Sequence, residues 1–370
     1  MKKVSILLLA VISVAGIMTG CGNKQASAAE PIEIVSDGDQ TTTDTTTTDT
    51  TDTSTTEVSH DGMYQSELTN EWISDTLQNQ RPIAAMVDNE SIALPQYGLT
   101  QADVVYEMTN STMNGGVTRF MVLVKDWESI TQLGNIRSIR PTNLMVAPEW
   151  NAVICHDGGP FYIDDYLKNP YIDHFSGTFS RVSNGKSREY TEYIVTGDLD
   201  TNFTDTGYST EYNKYYKGAH FQFAADETTT DLSQNSDSVE ATHVDLPYQH
   251  NKPYLDYNSE DGLYYYSEYG AANTDPANGD AQLAFKNVIL QNTTYKVYDE
   301  HGYMVFNVID SGRSGYYITD GKAIPVTWKK TDDVTPTKYY DASGNEIVLN
   351  TGKTYIAIIP DDLWDGVLLK

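Results

Sequence analysis

From residue 81 onward, short apolar runs alternate with polar and turn-forming residues. In the first half, this pattern predicts five buried strands, at 83–89, 103–108, 118–126, 133–140 and 151–159. Two short helices are predicted between and after them, at 141–147 and 161–170, the first with a proline in its first turn and the second stopped by a proline. Strands interleaved with short helices favour an α/β sheet domain.

From about residue 226 the pattern changes to alternating, Tyr-rich runs with Gly, Asn, Asp and Pro between them. Helix signals nearly vanish, which favours a mainly antiparallel β domain, either a small barrel or a sandwich. We therefore expect an α+β protein with an N-terminal α/β sheet domain at 63–225 and a β-rich C-terminal domain at 226–370.

The first twenty residues have the layout of an export signal. Lys2 and Lys3 precede an apolar stretch at 4–18 that is too short to be a permanent membrane span. The run Met18-Thr19-Gly20-Cys21 resembles the lipobox of bacterial lipoproteins, in which the cysteine receives a lipid and becomes the new N-terminus. The alternative is an ordinary signal peptide at 1–20 with an incidental cysteine. We expect lipid attachment at Cys21 and anchoring to the extracytoplasmic face of the cell membrane.

A tether follows the anchor at 21–62. It is rich in Thr and Asp, and the segment 25–80 contains no Lys or Arg. Such a composition cannot bury enough apolar surface to offset the entropy of the backbone, so it predicts disorder. Composition does not decide whether the threonines are modified.

Charge and cysteine content exclude several classes of function. The formal net charge of −28 argues against nucleic acid as a partner and against direct docking on anionic lipid. The acidic residues do not form a calcium-binding loop pattern, so we expect no metal and no cofactor. The second of two cysteines, Cys155, has no partner if Cys21 is lipidated, and its apolar strand predicts an inert buried thiol.

Polar residues at the ends of the predicted strands suggest one ligand cleft. Its candidate residues are Asp88, Glu107, Arg119, Arg137, Arg140 and His156. An arginine side chain binds a carboxylate or phosphate through two parallel hydrogen bonds, and such anions are abundant in cell-wall polymers. The alternatives are structural: Arg137 and Arg140 could pair with Glu107 or Asp103, and His156 could be a hydrogen-bonded residue of the fold.

One set of runs in the chain carries a resemblance: RPIAAMVDN at 81–89, LPQYGLTQADVVYEM at 94–108, GGVTRFMVLV at 115–124, LGNIRSIRPTN at 133–143 and the tail at 321–360. Together these runs resemble the YerB-like family of Gram-positive lipoproteins. The resemblance implies an architecture and a location, and it supplies no catalytic residues.

The expected function is therefore non-catalytic binding at the cell envelope. The expected partner is a cell-wall polymer or a membrane-bound envelope protein, and the Tyr-rich second half could present a glycan-binding face. The alternative is a hydrolase or transferase that acts on cell-wall polymers through Glu107, His156 and the arginines.

Overall fold

One mixed sheet of eleven strands passes through both halves of the protein in the computed structural model, which describes residues 59–226 and 228–370. Its strands in chain order are β1 (Ile83–Asp88), β2 (Val104–Thr109), β3 (Thr118–Val124), β4 (Val153–His156), β5 (His174–Ser176), β6 (Val239–Glu240), β7 (Asn287–Thr293), β8 (Ser311–Thr319), β9 (Lys322–Lys329), β10 (Lys338–Tyr340) and β11 (Thr354–Pro360). Their spatial order is β6-β9-β8-β7-β11-β2-β3-β1-β4-β5, and β10 also pairs with β9.

The two halves of the chain meet inside this sheet. Strand β11 lies between β7 and β2 and runs parallel to both, so that Ile356 pairs with Ile289 on one side and with Tyr106 on the other. Because β2 belongs to the first half of the chain and β7 to the second, the halves share one hydrogen-bonded core. The boundary at 225/226 stays a prediction.

The central strands are buried on both faces, which explains their continuous apolar sequence. Alternate residues point to opposite faces: Ile83, Ala85 and Val87 enter one apolar cluster, whereas Ala84 and Met86 enter the other. We call these the Val87 face and the Met86 face.

Smaller elements cover the two faces. Tyr264 and Ile194 pack in the Val87 cluster, and Leu144 packs in the Met86 cluster. A six-stranded sheet contains His243–Asp245, Tyr254–Asn258, Leu263–Glu268, Ala271–Ala272, Ala284–Phe285 and Leu368–Leu369, and a three-stranded sheet contains Gln132–Gly134, Ser180–Arg181 and Glu192–Val195. The α-helices among the described residues are α1 (Pro141–Val146), α2 (Asp164–Leu167) and α3 (Asp198–Thr206). Two-stranded ladders pair Met63–Gln65 with Trp72–Ser74, Gln222–Phe223 with Val348–Leu349, Thr274–Asp275 with Ala281–Gln282, and Tyr295–Val297 with Met304–Phe306.

The α+β fold class with a β-rich second half is confirmed. Among the described residues the strands form open sheets rather than the closed barrel that was one alternative. The predicted strand at 133–140 is wrong beyond Gly134, because the following backbone turns away to bond with β1, where the Arg137 amide donates to the Met86 carbonyl at 2.9 Å.

Within the described part of the chain, no helix is long and apolar enough to cross a membrane. Cys21, the export signal and most of the predicted tether lie outside the described residues.

Candidate functional site

Three of the predicted cleft residues meet at the ends of β1 and β3. Asp88 and Arg119 are direct neighbours in the β1–β3 pairing, and Arg119 Nη2 lies 3.8 Å from Asp88 Oδ1. Arg137 Nε lies 2.8 Å from Asp88 Oδ2, and Arg137 Nη1 lies 3.2 Å from Glu189 Oε2. Asp88 is fully buried, so the two guanidinium groups supply the countercharge that its burial requires.

Arg140 lies next to this group but is held differently. Its Nη1 donates to Ser138 Oγ at 3.0 Å and to the Ile139 carbonyl at 2.9 Å, while Arg119 Nη1 donates to the Ser138 carbonyl at 2.8 Å. The Arg140 guanidinium carbon lies 3.8 Å from the centroid of the Tyr303 ring. Arg140 is only 5% exposed, yet no carboxylate among the described residues lies within 4 Å of it, and its buried Nε has no hydrogen-bond partner there.

The three arginines outnumber the carboxylates that contact them. The guanidinium groups of Arg119, Arg137 and Arg140 share two contacting carboxylates, Asp88 and Glu189. Burial and then the positive charge of Arg119 lower the pKa of Arg140 to about 10, so the group stays charged at neutral pH. A buried, charged arginine with donors to spare can accept a carboxylate or a phosphate with little rearrangement.

Arg140 faces a cavity of about 510 Å³, which we call the Arg140 cavity. Both halves of the chain build its wall, with Ser138, Arg140, Gly159, Pro160 and Phe161 from the first and Asp299, Glu300, His301 and Tyr303 from the second. The second group forms a hairpin turn that docks on the first half, since Ser111 Oγ donates to the His301 carbonyl and the Thr112 amide to the Gly302 carbonyl, each at 2.8 Å. A Cβ atom on Gly302 would lie 2.4 Å from Thr112 Oγ1, so this approach requires glycine.

Phe161 lies in the wall of the Arg140 cavity and belongs to a row of three aromatic rings. Phe161 is 84% exposed, which is unusual for so large an apolar side chain. Its ring makes an edge contact with Tyr162, and the Tyr162 ring lies 3.9 Å from that of Tyr298, centroid to centroid. Tyr162 donates its hydroxyl to Asp299 Oδ2 at 3.2 Å, which ties this row of rings to the carboxylate in the cavity wall.

Glu107 does not join the arginines. It lies on the Val87 face of the sheet, whereas Arg119 and Asp88 lie on the Met86 face. Its buried carboxylate accepts hydrogen bonds from Asn251 at 2.7 Å, from Tyr266 at 2.9 Å and from Tyr355, and burial raises its pKa.

The structural alternative for the arginines named the wrong partners. Arg137 pairs with Asp88 and Glu189 rather than with Glu107 or Asp103. The Asp103 carboxylate instead accepts the backbone amide of Lys125 at 2.6 Å.

His156 supports the loop next to Arg140. Its Nδ1 lies 2.8 Å from the Gly158 carbonyl, and its Nε2 lies 3.0 Å from His174 Nδ1. A carbonyl only accepts, so Nδ1 donates and Nε2 accepts from His174. The Gly158 carbonyl also accepts the amide of Ile139 at 3.1 Å, and burial lowers the pKa of His156 to about 4. These contacts fit a structural role, and the neighbouring Cys155 is a buried free thiol whose pKa burial raises.

The sequence pattern did not predict the residues that the second half of the chain contributes to the Arg140 cavity. Tyr303 and Glu300 lie in a polar turn between two apolar runs, and a turn of this composition has no signal that distinguishes a binding wall from an ordinary connection. In the described residues, no group of three or more His, Cys, Asp or Glu side chains converges on a point where a metal ion could be held.

Comparison with known proteins assigns both halves to one family. Residues 68–209 match a family model described as "Protein of unknown function (DUF3048) N-terminal domain", and residues 244–356 match "Protein of unknown function (DUF3048) C-terminal domain". The chain is 25% identical over 313 residues to "Putative lipoprotein YerB" from Bacillus subtilis (strain 168), covering 80% of this chain and 86% of the relative. The crystal structure of YerB from Bacillus subtilis superposes with a TM-score of 0.70 at 20% identity, covering 83% of this chain and 99% of that one, which shows a common fold.

Proposed function

Because the chain belongs to the YerB-like family, we propose that it is a lipid-anchored envelope protein that binds an anionic group of a cell-wall component in the Arg140 cavity. One observation carries this proposal: Arg140 is buried, charged and without a carboxylate partner among the described residues, and it lines an open cavity. Burying a guanidinium without a carboxylate in direct contact is unfavourable, and an incoming anion would supply that contact.

The location completes the proposal. The signal at 1–20 directs export, the lipid on Cys21 anchors the mature chain to the extracytoplasmic face of the cell membrane, and the tether extends the folded part towards the wall. An acidic protein at that location gains from a local positive site, because its net charge of −28 otherwise repels wall anions.

The enzymatic alternative finds less support. It requires Glu107, His156 and the arginines to face one cleft, but Glu107 lies on the opposite face of the sheet from Arg119. Both ring nitrogens of His156 are occupied by hydrogen bonds within the fold, which leaves neither available as a general base.

The test is binding of the mature chain, made soluble by Cys21→Ala, to purified peptidoglycan and to poly(glycerol phosphate). We expect Arg140→Ala to weaken binding to at least one of these polymers by tenfold or more. The control is Arg188→Ala, which removes an exposed arginine outside the Arg140 cavity and should leave binding unchanged.

Because Arg140 also packs on Tyr303, each variant is first checked by thermal unfolding. Arg140→Lys keeps the charge but loses the two-pronged donor geometry, so it should restore binding only in part. A folded Arg140→Ala protein that binds both polymers as tightly as the parent contradicts the proposal. The proposal is also contradicted if the parent protein binds neither polymer and instead captures a membrane-bound envelope protein.

A further inference from the structure

We infer that the ligand of the Arg140 cavity is a saccharide that bears an anionic substituent. This inference rests on the proposed function and names the class of ligand. It is drawn from three features that share the wall of one cavity: a buried guanidinium group, an exposed aromatic ring and two carboxylates.

Phe161 is the first feature. An 84% exposed phenylalanine exposes apolar surface to water, and its position in the cavity wall allows a ligand to cover it. The pyranose ring of a sugar has a face of C–H bonds that stacks on an aromatic ring. Phe161 is braced for this contact by the edge of Tyr162, which packs in turn against Tyr298.

The carboxylates of the cavity wall are the second feature. A simple anion site would exclude Asp299 and Glu300, because like charges repel the ligand. A sugar explains their presence, since carboxylate oxygens accept hydrogen bonds from hydroxyl groups. Asp299 is fixed by the amides of His301 and Tyr303 and by the Tyr162 hydroxyl, while the exposed Glu300 has no hydrogen-bond or ion-pair partner in the described part of the chain.

Arg140 supplies the third feature, which is selectivity for charge. Its buried Nε has no hydrogen-bond partner among the described residues, and a guanidinium group can bind the two oxygens of a carboxylate or a phosphate through parallel hydrogen bonds. A volume of about 510 Å³ lies within the range of roughly 300–1,000 Å³ typical of small-ligand pockets, and so accommodates a sugar ring together with its substituent.

Calorimetric titration with five probes tests the inference: N-acetylmuramic acid, N-acetylglucosamine 1-phosphate, neutral N-acetylglucosamine, acetate and inorganic phosphate. We expect at least one of the two anionic sugars to bind ten times more tightly than both the neutral sugar and the matching bare anion. Preference for N-acetylmuramic acid indicates a carboxylate source such as peptidoglycan, whereas preference for the sugar phosphate indicates a phosphate-linked wall polymer.

Variants separate this inference from the proposed function. Phe161→Ala should weaken binding of the preferred anionic sugar tenfold or more and leave binding of the bare anion unchanged. Leu368→Ala is the matched control, because Leu368 is another exposed apolar side chain, half exposed and outside the cavity. If the bare anion binds as tightly as the anionic sugar and Phe161→Ala has no effect, the saccharide is wrong while the anion site stands. If Arg140→Ala binds all probes like the parent, the proposed function itself fails.

Discussion

The ammonium group of Lys330 lies 2.7 Å from the carboxylate of Glu149, and neither side chain is exposed to solvent. The same carboxylate accepts the Thr337 amide at 2.9 Å, the Thr337 hydroxyl at 2.7 Å and the Tyr106 hydroxyl at 3.0 Å. Glu149 follows α1 in the first half of the chain, whereas Lys330 and Thr337 flank the β9–β10 connection in the second. This buried pair therefore ties the two halves together away from the shared sheet.

We predict that replacing one partner of this pair lowers the stability of the fold strongly, whereas replacing both partners lowers it little. Lys330→Ala leaves the Glu149 carboxylate buried without its cation, which should lower the free energy of unfolding by roughly 3–5 kcal/mol. The double variant Glu149→Gln with Lys330→Met should recover most of that loss, because no buried charge remains. Urea unfolding measures both effects, and the control is Lys168→Ala, since Lys168 pairs with Asp165 on the surface. Equal losses in the single and double variants would contradict the prediction.

The sequence predicted the buried strands well because their pattern is determined by burial. β1 and β3 fall inside the predicted runs and β2 ends one residue beyond its run, since a strand covered on both faces must be apolar throughout. The shared sheet was not predictable in the same way. β11 pairs with β2 from the other half of the chain, and no local pattern shows which strand becomes its neighbour.

The candidate site was likewise predictable from the sequence only in part. The sequence groups Asp88, Arg119, Arg137 and Arg140 because each lies near the end of a predicted strand, and the structure brings them together. Glu107 could have been separated from Arg119 only with the β2–β3 register, because a shift of one residue moves a side chain to the other face. The part of the cavity wall formed by Asp299 and its neighbours depends on a hairpin from the second half that docks on the first half. This is a tertiary contact, and the local sequence pattern does not predict it.

A second prediction concerns the membrane anchor. Cys21→Ala should leave the protein exported but release it into the medium, because the acyl chains supply the hydrophobic attachment. Fractionation of cells that produce the parent or the variant, followed by immunoblotting, measures the released fraction. The control is Cys155→Ala, since Cys155 is a buried free thiol that should not affect the location. A Cys21→Ala protein that stays with the membranes as fully as the parent would show that lipid on Cys21 is not the tether.

Two buried carboxylates lie on either side of one amide on the Val87 face. Asn251 Nδ2 donates to Glu107 Oε1 at 2.7 Å and to Glu268 Oε2 at 3.0 Å, and Asn273 donates to Glu268 Oε1 at 2.8 Å. No Lys or Arg of the described chain forms an ion pair with either carboxylate. Burial and then the negative charge of Glu107 raise the pKa of Glu268 to about 7.

This arrangement predicts that the contribution of Glu268 to stability declines as pH rises. Between about pH 4.5 and pH 7 the folded protein keeps a proton on Glu268 that the unfolded chain releases, so the free energy of unfolding falls with pH across that window. The total effect is roughly 3 kcal/mol, at about 1.4 kcal/mol for each unit of pKa difference. Burial lowers the pKa of His156 and His174, which acts in the opposite direction, whereas the raised pKa of Asp103 acts in the same direction.

The difference in the free energy of unfolding between the parent and Glu268→Gln reports the titration of Glu268. Urea unfolding at pH 5, 6, 7 and 8 should show the parent losing stability relative to this variant by roughly 2.5 kcal/mol from the lowest to the highest pH, because glutamine does not titrate. Glu260→Gln, at an exposed position, should give a profile parallel to that of the parent. If the Glu268→Gln profile also runs parallel to the parent, Glu268 is ionised in the folded protein throughout this range, and the two carboxylates do not share a proton-dependent site.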